Sequence, residues 1–121
     1  MDTLSIRERI IYFDQNFCVV TKLPGENSQS DIPRIFQNEL ENLLVKKIDF
    51  IECPHRLDMP VSGVQIISFN KETFDLAKFL VSKGAEIFDI YNYLYETDEV
   101  STIAFVNFDI RLKNSPLIAI L

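Results

Sequence analysis

The chain has 121 residues, enough for one domain with a single modest core. Twelve Lys and Arg against 18 Asp and Glu leave a net charge of −6 on an ordinary soluble-globule composition, 47% hydrophobic with ten Phe and no Trp. That balance argues against a protein that grips nucleic acid over a whole basic face, since such affinity comes largely from neutralised phosphates, but charge totals average over faces and leave room for a local basic patch.

In chain order, "RIIYFDQNFCVVTKLPGE" reads as a hairpin. Ile10–Phe13 and Phe17–Thr21 are β-rich runs joined by Asp14-Gln15-Asn16, and Pro24-Gly25 ends the pair. After the polar loop 26–31, "DIPRIFQNELENLLVKKI" is helical, with Asp31 as N-cap and Pro33 in the first turn. Ile32, Ile35, Phe36, Leu40, Leu43 and Leu44 share one face, and Lys46-Lys47 suit the dipole at the C-terminal end as a solvated helix end. Residues 51–63, "IECPHRLDMPVSG", form a polar loop that leads into a strand over Val64–Phe69. "NKETFDLAKFLVSKG" is a helix capped by Asn70 and stopped by Gly84, with Phe74, Ala77, Leu80 and Val81 as its buried stripe. From Glu86 onward the wealth of Ile, Val, Phe and Tyr predicts strands: "EIFDIYNYLYE", "STIAFVNFDIRL" and "SPLIAIL". The pattern predicts one α+β domain over 1–121, with a mixed, mainly antiparallel sheet and two helices. The apolar final strand "PLIAIL" predicts an open sheet edge, to be covered by self-association or by a complementing chain.

No apolar run reaches the ~20 residues of a membrane span, and the N-terminus has no apolar signal core, so a cytoplasmic protein is expected. Cys18 and Cys53 sit among apolar neighbours and read as buried free thiols, with nothing requiring a disulfide. One His and two distant Cys give no metal-ligand spacing.

The polar loop is where chemistry concentrates. His55, Arg56 and Asp58 stand between Pro54 and Pro60, which stiffen the loop, and Ser62-Gly63 allows a tight turn into the strand. Taken alone, Asp58 is a loop aspartate paired with Arg56 or capping a turn. Taken with its neighbours, Arg56 can hold a carboxylate ionised or grip a phosphate in bidentate fashion. Lys22, beside the Pro-Gly turn, reads as a surface residue before a ligand, with a site-facing role as the alternative. Tyr91, Tyr93 and Tyr95 alternate as on one face of a strand, a row that is usually core or half-exposed sheet surface.

"HRLDMPVSG" resembles the H-R-L-D-x-x-T-S-G motif of RluA-type pseudouridine synthases. Other landmarks fall in the same order. "IIYFDQNFCVVTKLPGE" is similar to the strand pair that this family runs into "N-K-P-x-G", a helix follows the motif strand, and "FDIYNYLY" resembles the family's "K-x-Y-x-A" strand. The resemblance covers the N-terminal half of that catalytic domain and implies a partial pseudouridine synthase fold. It implies isomerisation of uridine in ribosomal or transfer RNA, with RNA as partner and with no cofactor or metal. Asp58 matches the catalytic aspartate, which attacks the ribose C1′ or abstracts a ribose proton. Tyr91 matches the tyrosine that packs against the base, Arg56 the arginine that supports the RNA or the flipped base, and His55 a motif position that is more often loop architecture than chemistry.

The departures are Val61 for the motif threonine, Asp89 for the lysine of "K-x-Y", Thr21 for the usual Asn, and Leu23 within the "K-P" pair. No segment matches the basic residue that the family's second half sets against the aspartate. The expectation is therefore a pseudouridine synthase that is truncated and, as this chain alone, weakly active or inactive. The alternative is a degenerate, non-catalytic RNA-binding or protein-interaction module.

Overall fold

The computed structural model describes residues 5–96. After a short 3₁₀ turn at Arg7–Arg9, β1 (Ile10–Phe13) and β2 (Phe17–Lys22) form the expected hairpin. Its turn is held by Asp14, whose Oδ1 accepts the N–H groups of Asn16 and Phe17, while Tyr12 donates its hydroxyl to the other carboxylate oxygen. Such an Asx-type turn replaces backbone hydrogen bonds that a loop would otherwise leave to water. Helix α1 (Ile32–Leu44) follows, then β3 (Gly63–Ser68), α2 (Lys71–Ser82) and α3 (Ile87–Glu96).

The described strands make one antiparallel sheet in the order β1-β2-β3. β1 meets β2 through a bulge, with Ile10 opposite Val20 but Tyr12 opposite Val19, so that Ile11 is the extra residue. Both faces of the sheet are buried, which is why β2 and β3 carry nearly unbroken apolar runs instead of alternating with polar residues. On one face Cys18, Val20 and Ile67 pack with Ile32, Phe36 and Leu40 of α1; on the other, Phe17, Val19, Val64 and Ile66 pack with Ala77 of α2 and with Ile90, Tyr91 and Leu94 of α3. The result is a small α+β fold with helices on both sides of an antiparallel sheet.

Two helix ends behave differently. Asn70 caps α2 as expected, its side chain accepting the Thr73 N–H at 2.8 Å, and Gly84 sits at φ 83 just past the helix. Asp31 precedes α1 but makes no cap of the usual kind: its carboxylate instead accepts from the Asn27 N–H and from Arg34.

The segment read as the strand "EIFDIYNYLYE" is α3. Ile87, Ile90, Tyr91 and Leu94 recur at helical spacing, and the stripe they form buries Ile90, Tyr91 and Leu94 against the sheet. That burial overrides the β preference of Ile, Phe and Tyr, which is itself a preference for half-buried surfaces and not for one backbone. The chain thus has three α-helices among its described residues, where two were expected. The strands expected over 101–112 and 115–121, and with them the open edge, lie outside the described residues.

Candidate functional site

The loop between α1 and β3 carries little regular structure, yet its backbone is tied at almost every step. It runs first beside β3, where Glu52 and Ser68 exchange both backbone hydrogen bonds, at 3.1 and 2.7 Å. Three residues on, the His55 carbonyl accepts from Gln65 Nε2 at 2.8 Å, and His55 Nε2 accepts the Ile66 N–H at 2.9 Å. An imidazole nitrogen that accepts an amide hydrogen must be unprotonated, so the ring is neutral with its proton on Nδ1. Burial enforces this and pulls His55 down to about 4. His55 is thereby a loop anchor with its basic lone pair already in use.

The next ties come from the far side. Ser28, itself buried, accepts the Leu57 N–H on its hydroxyl at 3.0 Å, and the Gly25 N–H donates to the Met59 carbonyl at 2.6 Å. Val61 N–H closes a turn onto the Asp58 carbonyl at 2.9 Å. Gly63 then lets the loop fold over the strand, since a Cβ there would lie 3.1 Å from Leu57 Cδ1.

Lys22 is the centre of this arrangement and the residue that sequence reasoning missed. It is fully buried, and its ammonium donates to the carbonyls of Leu23 (3.2 Å), Asp58 (3.1 Å), Met59 (3.1 Å) and Val61 (2.6 Å). A buried cation is costly unless it is fully solvated by the protein, and here backbone oxygens do what water would do. Strand parity was the available signal: Lys22 shares its face with Cys18 and Val20, both fully buried. A second buried cation braces the same corner. Arg9 donates to the Thr21 carbonyl and pairs with Glu26, whose carboxylate also accepts the Leu23 N–H, and its guanidinium lies 5.0 Å from the Phe36 ring centre.

With its backbone held, the loop turns Arg56 and Asp58 outward. Both are exposed, and among the described residues neither side chain has a hydrogen-bond or ion-pair partner, so the Arg56–Asp58 pairing that a merely structural loop would favour is not formed. Arg56 and His55 border an open cleft of about 530 Å³ whose other walls are Val81, Ala85, Glu86, Ile87 and Ile90. Asp58 stands outside that cleft, on the turn above Lys22.

Tyr91 is elsewhere. It lies on α3, not on a strand, and only 1% of it is exposed. Its ring meets Tyr12 edge-on at 5.1 Å, stacks on Tyr95 at 5.9 Å and touches Phe17 at 6.0 Å. The structure therefore brings His55, Arg56 and Asp58 together in one anchored loop and puts Tyr91 in the core between α3 and the sheet.

No protein-family model matches the chain, and no curated protein matches it. Among the described residues no helix is long and apolar enough to cross a membrane.

Proposed function

We propose that the loop 55–63 is the reacting loop of an RNA pseudouridine synthase, acting in the cytoplasm on ribosomal or transfer RNA, with Asp58 as the catalytic residue. The observation that carries this reading is the contrast within the loop: a backbone fixed by a buried ammonium and a neutral imidazole, beside an aspartate and an arginine left unpaired toward solvent. A catalytic carboxylate needs that combination, because orientation set in advance lowers the entropic part of the barrier.

In this reading a uridine leaves its stack and presents its ribose to Asp58. The carboxylate either attacks C1′ and is displaced from it when the uracil C5 bonds there, or removes a ribose proton and returns it to the same carbon once that bond has formed. The glycosidic C–N bond breaks, the uracil rotates, and its C5 bonds to C1′. The C5 proton is then lost and one proton is gained at N1, so the reaction is an isomerisation with no net redox change. Arg56, on the rim of the open cleft, supports the displaced nucleotide by its charge, and the apolar walls at Val81, Ala85 and Ile87 accept an unstacked base.

The burial of Tyr91 favours a second reading, in which the chain binds RNA or a protein without catalysis, since among the described residues that ring is not available to stack on a base. Pseudouridine-specific chemical mapping of ribosomal and transfer RNA after incubation with the chain separates the two. The isomerase reading predicts slow modification at discrete uridines that disappears with Asp58→Ala. Equal signals from wild type and variant would leave the non-catalytic module.

A further inference from the structure

Beyond the reacting loop, the opposite end of β3 carries a second candidate. Past the last turn of α1, Val45 is held in the left-handed region at φ 55, a conformation that a β-branched residue rarely adopts. The reversal it makes is pinned from both sides. Glu41 accepts the Ile48 N–H at 3.0 Å, its carbonyl accepts the Lys46 N–H, and Gln37 donates to the Ile48 carbonyl at 3.1 Å. Lys46 and Lys47 are thus presented from a fixed turn rather than from a frayed helix end.

They face a cleft of about 300 Å³ lined by Lys46, Lys47, Phe50, Phe69, Asn70 and Lys71, with Asp49 as its one acidic residue. Among the described residues Lys46 and Lys47 have no ion pair within about 4 Å, although Lys47 is near enough to Glu41 to act on its carboxylate, and Lys71 meets the exposed Asp75, a contact that holds it weakly. The aromatic surface continues beyond the cleft: Phe50 packs edge-on to Phe74 at 5.8 Å, and Lys78 lies over Phe74 at 5.3 Å. On a chain of net charge −6, four lysines interleaved with phenylalanines form a local exception to the overall charge. Cations that follow a backbone, alternating with flat apolar rings on which bases stack, are what a single-stranded nucleic acid requires.

We propose that this cleft is a second contact site for single-stranded RNA, with Lys46, Lys47 and Lys71 on phosphates and Phe50 on a base. The inference rests on RNA being the partner and goes beyond the reacting loop. Six strand residues separate the two sites, roughly 20 Å along β3, so an RNA held at the lysine cleft is fixed a few nucleotides from Asp58.

The test is fluorescence anisotropy of the full chain with a labelled oligouridylate across a range of salt. The double variant Lys46→Ala/Lys47→Ala is expected to bind roughly 10-fold more weakly at low salt, with a logarithmic salt slope shallower by about 1.4. Phe50→Leu is expected to weaken binding by roughly 5-fold without changing the slope. Arg34→Ala/Lys83→Ala removes equal charge elsewhere and is expected to leave both quantities within 2-fold of wild type, on the order of the experimental scatter. No binding by wild type, an equal loss from the control pair, or tighter binding of a polyglutamate peptide at the lysine cleft would each overturn the inference, the last in favour of an acidic protein partner. The assay needs no turnover. Asp58-dependent isomerisation together with an unchanged slope in the lysine variant sinks this inference alone, and the reverse pattern sinks the isomerase alone.

Discussion

The two ends of β3 handle positive charge in opposite ways. At the Gly63 end the cation is inside: Lys22 is fully buried, its ammonium is spent on backbone carbonyls, and the loop it holds exposes Asp58 and Arg56. At the Phe69 end the cations are outside: Lys46 and Lys47 face solvent, while neutral and acidic side chains of α1 hold the turn that carries them. In both places a loop is immobilised by groups other than those it displays. Charge that the chain satisfies internally serves the fold, and charge left unsatisfied on a fixed backbone is available to a partner.

The largest effect is expected at Lys22. Lys22→Met takes the charged donor away from four carbonyls at once and leaves that of Val61 with no other donor among the described residues, so a loss of about 4 kcal/mol is expected in denaturant unfolding. Asp58→Ala, a few ångströms away but solvated, is expected to change stability by no more than about 0.5 kcal/mol. Equal effects would mean that the ammonium is not holding the loop.

His55 gives the next largest effect, and its sign is fixed by its burial. The folded chain holds the imidazole neutral down to about pH 4, against an ordinary value of 6.5. The stabilisation is complete above pH 6.5 and is lost as pH falls toward 4, about 3 kcal/mol in all, because the unfolded chain takes up a proton that the folded one refuses. Unfolding curves for wild type and His55→Gln should therefore diverge in slope between those two pH values. Parallel curves would remove His55 from the loop's anchors.

At the other end, Val45→Gly relieves a left-handed β-branched residue that is 86% exposed and loses almost no packing. A gain of about 1 kcal/mol is expected, visible as a higher melting temperature. A loss would show that Val45 makes a contact worth more than its strain. The smallest effect is chemical: burial raises the thiol of Cys18 and pushes that of Cys53 up to about 12, so neither should react with a thiol reagent at neutral pH until the chain unfolds.

Much of this was legible in the sequence, and the misses share a cause. The hairpin, α1, β3 and the cap of α2 follow from local signals: a turn aspartate, a first-turn proline, an Asn-capped apolar stripe. Helix α3 was misread because its residues favour strands individually, although Ile87, Ile90, Tyr91 and Leu94 carried the helical spacing throughout. Lys22 was misread because lysine is so seldom buried that composition outweighed its parity with Cys18 and Val20. Lys46 and Lys47 are solvated just past the helix end, as expected, and what no local signal announced is the reversal at Val45 that sets them beside Phe50 and Phe69. For α3 and Lys22 the periodicity was present in the sequence, but the groups that make it decisive, the sheet beneath α3 and the carbonyls of 58–61 around Lys22, lie far away along the chain.

In the proposed isomerase the loop presents Asp58 for chemistry and does not need Asp58 for its own integrity. Asp58→Asn, close in size and uncharged, tests both halves on one preparation. Pseudouridine mapping and thermal unfolding of wild type and variant side by side should show modification by wild type only, with superimposable melting curves. Identical mapping profiles, or a variant that melts well below wild type, would contradict the account.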